Sequence, residues 1–121
     1  MTWRKLQEFY LKGKVFVIGL TFFDKDGQLI ERYQTHGTAI ELTINGLLRI
    51  RREDGSIFQL PYDKDTIEKA KKGEYRAKTT GEVIPNPDYL MTWEITLKEK
   101  ENIEISKKYG FVYQNKENGS C

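Results

Sequence analysis

The sequence holds almost no cysteine or histidine, and each scarcity excludes something. The one cysteine, Cys121, is the last of 121 residues. No intramolecular disulfide can form, and a chain of this size without a staple suits a reducing compartment. The one histidine, His36, has no cysteine or second histidine to join it, which excludes a zinc site of the usual type. No run approaches the roughly 20 apolar residues of a membrane span, and the N-terminus lacks the apolar run of a signal peptide. The expectation is a cytoplasmic protein with no membrane partner. Charge of one sign is also lacking: 20 Lys and Arg stand against 18 Asp and Glu, a net +2, so the overall balance demands neither nucleic acid nor an anionic surface.

Large apolar side chains are present in force. Seven Tyr, six Phe and two Trp are more than a disordered chain carries. The length fits one domain able to bury a core without metals or disulfides. The expected domain is 1–114, with 115–121 a polar, mobile tail. Charge is unevenly spread. Arg4, Lys5, Lys12 and Lys14 face only Glu8, residues 64–78 hold six basic and three acidic groups, and Arg49, Arg51 and Arg52 make a third basic point beside Glu53 and Asp54.

Trp3, Leu6, Phe9 and Tyr10 recur at helical spacing, with Thr2 to cap the start and Gly13 to close the end. Such a stripe is expected to dock onto the core. Residues 14–23 read as a strand apolar on both faces, hence covered on both, with the N-terminal helix as one cover. After the turn Asp24-Lys25-Asp26-Gly27, residues 28–42 form a long strand with Gly37 marking a bend. Asn45-Gly46 and Asp54-Gly55 signal tight two-residue hairpins around strands 47–53 and 56–61. Residues 65–73 look helical, with Asp65 and Glu68 at capping-box spacing. Short strand 74–78, strand 89–97, a polar turn 98–102 and a strand 103–113 complete the course. The predicted fold class is mainly β: a small, strongly bent SH3-like or Sm-like β-barrel with an N-terminal amphipathic helix and one short internal helix.

The segments Gly19-Leu20-Thr21-Phe22, Asp26-Gly27, His36-Gly37, Phe58-Gln59-Leu60-Pro61, Gly73-Glu74-Tyr75-Arg76, Thr80-Gly81-Glu82-Val83 and Asn86-Pro87-Asp88-Tyr89, ending at Thr92-Trp93, span about two thirds of the chain. Over them it resembles a family of uncharacterised small bacterial proteins, a resemblance that implies a fold and no activity. Residues 14–50 are also similar to Sm proteins in their order of apolar strand, Asp-Gly turn, mid-strand glycine and Asn-Gly. The later half lacks the compact glycine-containing signature that would build a uridine pocket, so RNA binding does not carry over.

No residue set here makes an enzyme. Beside Gly37 on a strand, His36 is expected to be structural, since a general base needs a nucleophile or carboxylate near it. Asp24-Lys25-Asp26-Gly27 begins like an EF-hand loop but lacks the later ligands and the terminal Glu. No Gly-Lys-Ser/Thr cradles phosphate, and Ser56, Ser106, Ser120 and Cys121 have no activating context. A cleft with converging polar groups is expected to be absent. The candidate binding face is Arg49, Arg51, Arg52 and Arg76 with Tyr33, Tyr62, Tyr75 and Phe58 as stacking platforms. Set against it is a solvated charged face with core aromatics, which the interspersed acids favour. The expectation is a non-enzymatic module without cofactor or metal that acts through protein partners, itself included, with an inhibitor or immunity protein as one form. The alternative is an RNA- or single-stranded nucleic-acid-binding protein, and a third reading is a small-ligand pocket at the barrel mouth.

Overall fold

The computed structural model describes residues 2–76, 81–97 and 102–112. The expected tail from residue 115, Cys121 and parts of the segments 74–78, 98–102 and 103–113 lie outside them. The elements are α1 (Trp3–Leu11), β1 (Val15–Phe23), β2 (Leu29–Leu42), β3 (Leu47–Arg51), β4 (Ile57–Pro61), a 3-10 turn (Lys64–Thr66), β5 (Ile67–Lys69), β6 (Glu74–Arg76), β7 (Val83–Pro85), β8 (Tyr89–Thr96) and α2 (Asn102–Tyr109). The protein is mainly β, as the alternation predicts.

Six strands form one mixed sheet in the order β4-β3-β2-β1-β8-β5. The β1–β2–β3–β4 meander is antiparallel, whereas β8 joins β1 in parallel, pairing Phe16 with Tyr89 and Phe22 with Ile95. Strands β4 and β5 are the two ends, so the sheet does not close into the expected barrel. The parallel strand is what sequence alternation does not announce: period 2 reports which face is buried, not the direction of a neighbour. β6 and β7 make a separate hairpin.

One face of the sheet is the core. Phe16, Ile18, Leu20 and Phe22 alternate onto it from β1, and their neighbours add Met91, Ile95, Leu48, Ile50, Phe58 and Leu60, all buried in one cluster. Ile103 of α2 belongs to that cluster and Phe111 packs against it. The C-terminal segment is therefore a helix rather than the expected strand, with Ile103, Ser106 and Lys107 repeating at helical spacing. Its end is tied to β4 by an isolated bridge from Gly110 to Gln59.

On the opposite face Val17 is buried too. The β6–β7 hairpin reaches this face through Gln34 Nε2, which donates to the Tyr75 hydroxyl at 3.2 Å. α1 is not the second cover inferred from the doubly apolar β1: its one buried residue, Leu11, belongs to the core cluster. The segment expected to be a helix over 65–73 is instead the 3-10 turn, capped by Asp63, followed by β5 on the edge of β8.

Gly37 is where β3 comes closest to β2: a Cβ there would lie 2.4 Å from the Arg51 carbonyl and 2.6 Å from the Ile50 side chain. The register slips just beyond it, between Ala39 and Glu41. The turns at Asn45-Gly46 and Asp54-Gly55 are longer than two residues. Gly46 N–H donates to Thr43 O while Thr43 N–H donates to Leu47 O, and only the glycine of each pair has positive φ, the pattern of a three-residue loop closed by a left-handed glycine.

Candidate functional site

Thr2 caps α1 by accepting the Lys5 N–H, as its position predicts. The helix docks against β2 with the side opposite to its aromatic stripe. Arg4 Nη1 donates to Leu42 O at 2.6 Å, and Leu42 N–H donates to Glu8 Oε2 at 3.0 Å. Both backbone groups of Leu42, at the end of β2, are thereby satisfied by one pair of side chains a helical turn apart. That N–H holds the Glu8 carboxyl below its usual pKa, with Lys5 and Arg4 assisting. Leu11 is the one buried residue of the helix.

The stripe expected to be docked core therefore faces outward. Trp3 is 72% exposed, Phe9 72% and Tyr10 63%, with Leu6 beside them. At 3.6 residues per turn the four share about a third of the helix circumference, and the Phe9 and Tyr10 rings meet edge to face at 5.6 Å. The sequence could not choose between the two sides, because the choice rests on Leu42, 34 residues beyond Glu8. The exposed charges of the segment, Lys5, Lys12 and Lys14, are all basic, and its one acid is turned to the sheet.

The second feature arises because β2 outruns β3. β3 pairs with β2 only from Thr38 to Leu42, leaving residues 33–37 with a strand on one side alone. A cavity of about 570 Å³ lies there, lined by Tyr33, His36, Arg52, Glu53, Glu82 and Lys107 among others. A second, of about 400 Å³, shares His36, Arg52 and Glu53 and extends to Val83 and Pro85 of the hairpin. A cleft with converging polar groups, expected to be absent, is present.

His36, on the wall between the two, is accompanied. Its Nε2 lies 3.3 Å from Glu53 Oε1 and its Nδ1 3.5 Å from Glu82 Oε1. The imidazole is largely buried, while both carboxylates reach solvent. One donor atom from each of the three lies within 4.8 Å of the other two. Glu53 and Glu82 come from the β3–β4 turn and the segment entering β7. Neither is near His36 in sequence, and no spacing rule joins them.

The candidate binding residues are placed differently from one another. Arg52 donates to Ser56 Oγ, Tyr33 OH, Thr35 Oγ1, Lys107 O and Lys108 O and lies 5.0 Å over the Phe58 ring. Arg49 pairs with Glu41 at 3.1 Å. Arg51 lines the smaller cavity, and Arg76 is bonded to Gly81 O within its hairpin. Tyr33 and Tyr62 pack on the core, and burial raises the Tyr62 phenol above its ordinary pKa. Tyr75 serves Gln34, and Phe58 is fully buried. The structure brings Arg52, Tyr33 and Phe58 together, as internal packing, and leaves Arg76 apart from them. Lys107, beside Arg52, is held above its usual pKa by its 2.7 Å hydrogen bond to Glu31.

Comparison with family models, with curated proteins and with solved structures finds no match for this chain. No described helix is long and apolar enough to cross a membrane.

Proposed function

We propose that this protein is a non-enzymatic binding module that presents α1 to an apolar groove, edged by acidic residues, on a partner protein. The observation that carries the reading is the outward aromatic stripe of Trp3, Leu6, Phe9 and Tyr10 on a helix already held in place by Arg4, Glu8 and Leu11. A helix formed and anchored before contact loses little conformational freedom on binding, and an apolar helix face in a groove is a recurrent mode of recognition. Docking each ring would remove very roughly 100–150 Å² from water, about 3 kcal/mol at ~25 cal/mol per Å² before the costs of association. Lys5, Lys12 and Lys14 beside the stripe favour carboxylates at the rim of the groove. A cytoplasmic setting and a kinship with SH3-like and Sm-like barrels belong to the same reading. The lone Cys121 supports the first, and the long β2 shared between β1 and β3 behind an N-terminal helix supports the second.

The test compares the full chain with Trp3→Ala/Phe9→Ala and Lys5→Glu/Lys12→Glu variants in pull-downs made with and without nuclease, followed by calorimetry with the recovered protein. A single partner whose affinity falls roughly 30-fold or more in the aromatic variant, and also falls in the charge variant, is the expected result. The aromatic variant should unfold within about 0.5 kcal/mol of the parent, because the removed rings are exposed. Equal binding by the parent and the aromatic variant refutes the reading. Recovery of nucleic acid with steep salt dependence would replace it with the nucleic-acid alternative. Self-association lost in the aromatic variant would put a second copy in place of the acidic groove.

A further inference from the structure

We infer that His36, Glu53 and Glu82 bind a divalent transition cation of the zinc class, which fastens the segment entering β7 to the sheet. The three side chains arrive from β2, from the β3–β4 turn and from the edge of the small hairpin, so the local chain does not force them together. Two donors at the tetrahedral angle on one such cation are about 3.4 Å apart for a metal–donor length of about 2.1 Å. The observed separations are all within 4.8 Å, so reaching that spacing takes at most about 1.4 Å of side-chain movement. The Glu53 side chain, 76% exposed on its turn, is placed to make that movement.

The donor types select the cation. One imidazole nitrogen with two carboxylate oxygens suits zinc and its neighbours, whereas calcium takes six to eight oxygens and magnesium keeps most of its waters. A histidine ligates through one ring nitrogen at a time. With Nε2 on the cation beside Glu53, Glu82, which faces Nδ1, turns toward the cation as the third ligand. The surroundings are favourable as well. The cavity carries Glu53, Asp54, Glu82 and Glu104 against Arg52, Lys107 and Lys108. Two of those cations are engaged, Arg52 with Ser56, Tyr33, Thr35 and the carbonyls of α2, and Lys107 with Glu31 outside the cavity lining and with Glu104 within it. The expectation of no metal rests on the lack of a cysteine- and histidine-rich zinc site. A mixed site assembled from separated glutamates leaves no spacing to find.

The experiment is calorimetric titration of the tag-free full chain with zinc chloride, paired with the visible spectrum of the cobalt(II) form and with melting curves. The expected result is one zinc ion per chain, a cobalt spectrum, a rise in Tm with zinc, and retention of zinc in excess magnesium or calcium. Affinity should fall at least tenfold in His36→Gln and in Glu53→Gln and stay within twofold in Glu104→Gln, a cavity residue outside the triad. Because His36 is packed, Glu53→Gln decides the matter if His36→Gln fails to fold. No saturable binding, binding unchanged in Glu53→Gln, or displacement by magnesium would overturn the inference. Binding through Cys121 would show as a site indifferent to both substitutions and would overturn it equally.

Discussion

Replacing Arg52 by alanine should cost this protein about 2–4 kcal/mol of stability. The Arg52 guanidinium donates to five oxygens, two of them the Lys107 and Lys108 carbonyls at the C-terminal end of α2, and covers the Phe58 ring. Carbonyls in the last turn of a helix have no intrahelical donor, and a cation there also meets the negative end of the helix dipole. Hydrogen bonds to a charged group contribute about 1.5–3 kcal/mol each. The site is half open to water, which replaces some of them, so the loss is taken as that of one to two such bonds. With a urea slope near 1.5 kcal/mol/M for a chain of this size, the midpoint falls by about 2 M. Arg52→Lys keeps the charge but lacks the planar fork, and should recover less than half of the loss. Urea unfolding followed by circular dichroism and by tryptophan fluorescence reads both variants. An alanine variant within about 0.5 kcal/mol of the parent, or a lysine variant equal to it, would refute the assignment of Arg52 to structure and return it to the candidate binding face.

Gly110→Ala should also loosen α2. Its φ of +91° and a Cβ 1.7 Å from Gln59 O combine backbone strain of about 1–2 kcal/mol with loss of the bridge to β4. Gly46→Ala, at φ +84° with nothing within 4 Å, meets the strain alone, so equal losses in urea unfolding would show that the close approach is unimportant. Stability should also follow pH at both extremes. Glu8, lowered below its ordinary 4.5, stabilises fully above that value and loses its contribution as pH falls through the folded pKa. Lys107, raised above 10.5, stabilises fully below that value and loses its contribution as pH rises through the folded pKa. Melting curves across the pH range should show Glu8→Gln losing less on acidification than the parent, and an identical acid limb would remove Glu8 from the account.

Much of the fold is legible in the sequence because its signals are local. The Thr2 cap, the extended runs of β1 and β8 and the glycine-containing turns at Asp24–Gly27, Asn45-Gly46 and Asp54-Gly55 each depend on residues within one short segment. What was misread depends on distant partners. Isoleucines at 103 and 105 favour a strand by propensity, yet the segment is a helix because Ile103 meets a core built by β1 to β4 and β8. Residues 65–73 carry a helix signal that pairing with the edge of β8 overrides. The aromatic stripe of α1 reads as inward because apolar faces usually are. Leu42 reverses this by drawing Arg4 and Glu8 to the sheet. Candidate site residues fared likewise: the arginines were visible as a cluster, but their engagement was not, and the company of His36 came from positions 17 and 46 residues downstream.

The parallel pairing of β1 with β8 has a consequence for the order in which the protein is made. On one side, β1 finds β2 as soon as residue 38 has been synthesised. Its other edge waits for residues 89–96, and through that interval a strand bearing Phe16, Ile18, Leu20 and Phe22 offers unpaired N–H and C=O groups. Such an edge is a template for another nascent chain. The ribosome-bound intermediate, rather than the finished molecule, is where this protein is most exposed to self-aggregation. A chain cut short before residue 89 should therefore precipitate on synthesis while the full chain remains in solution.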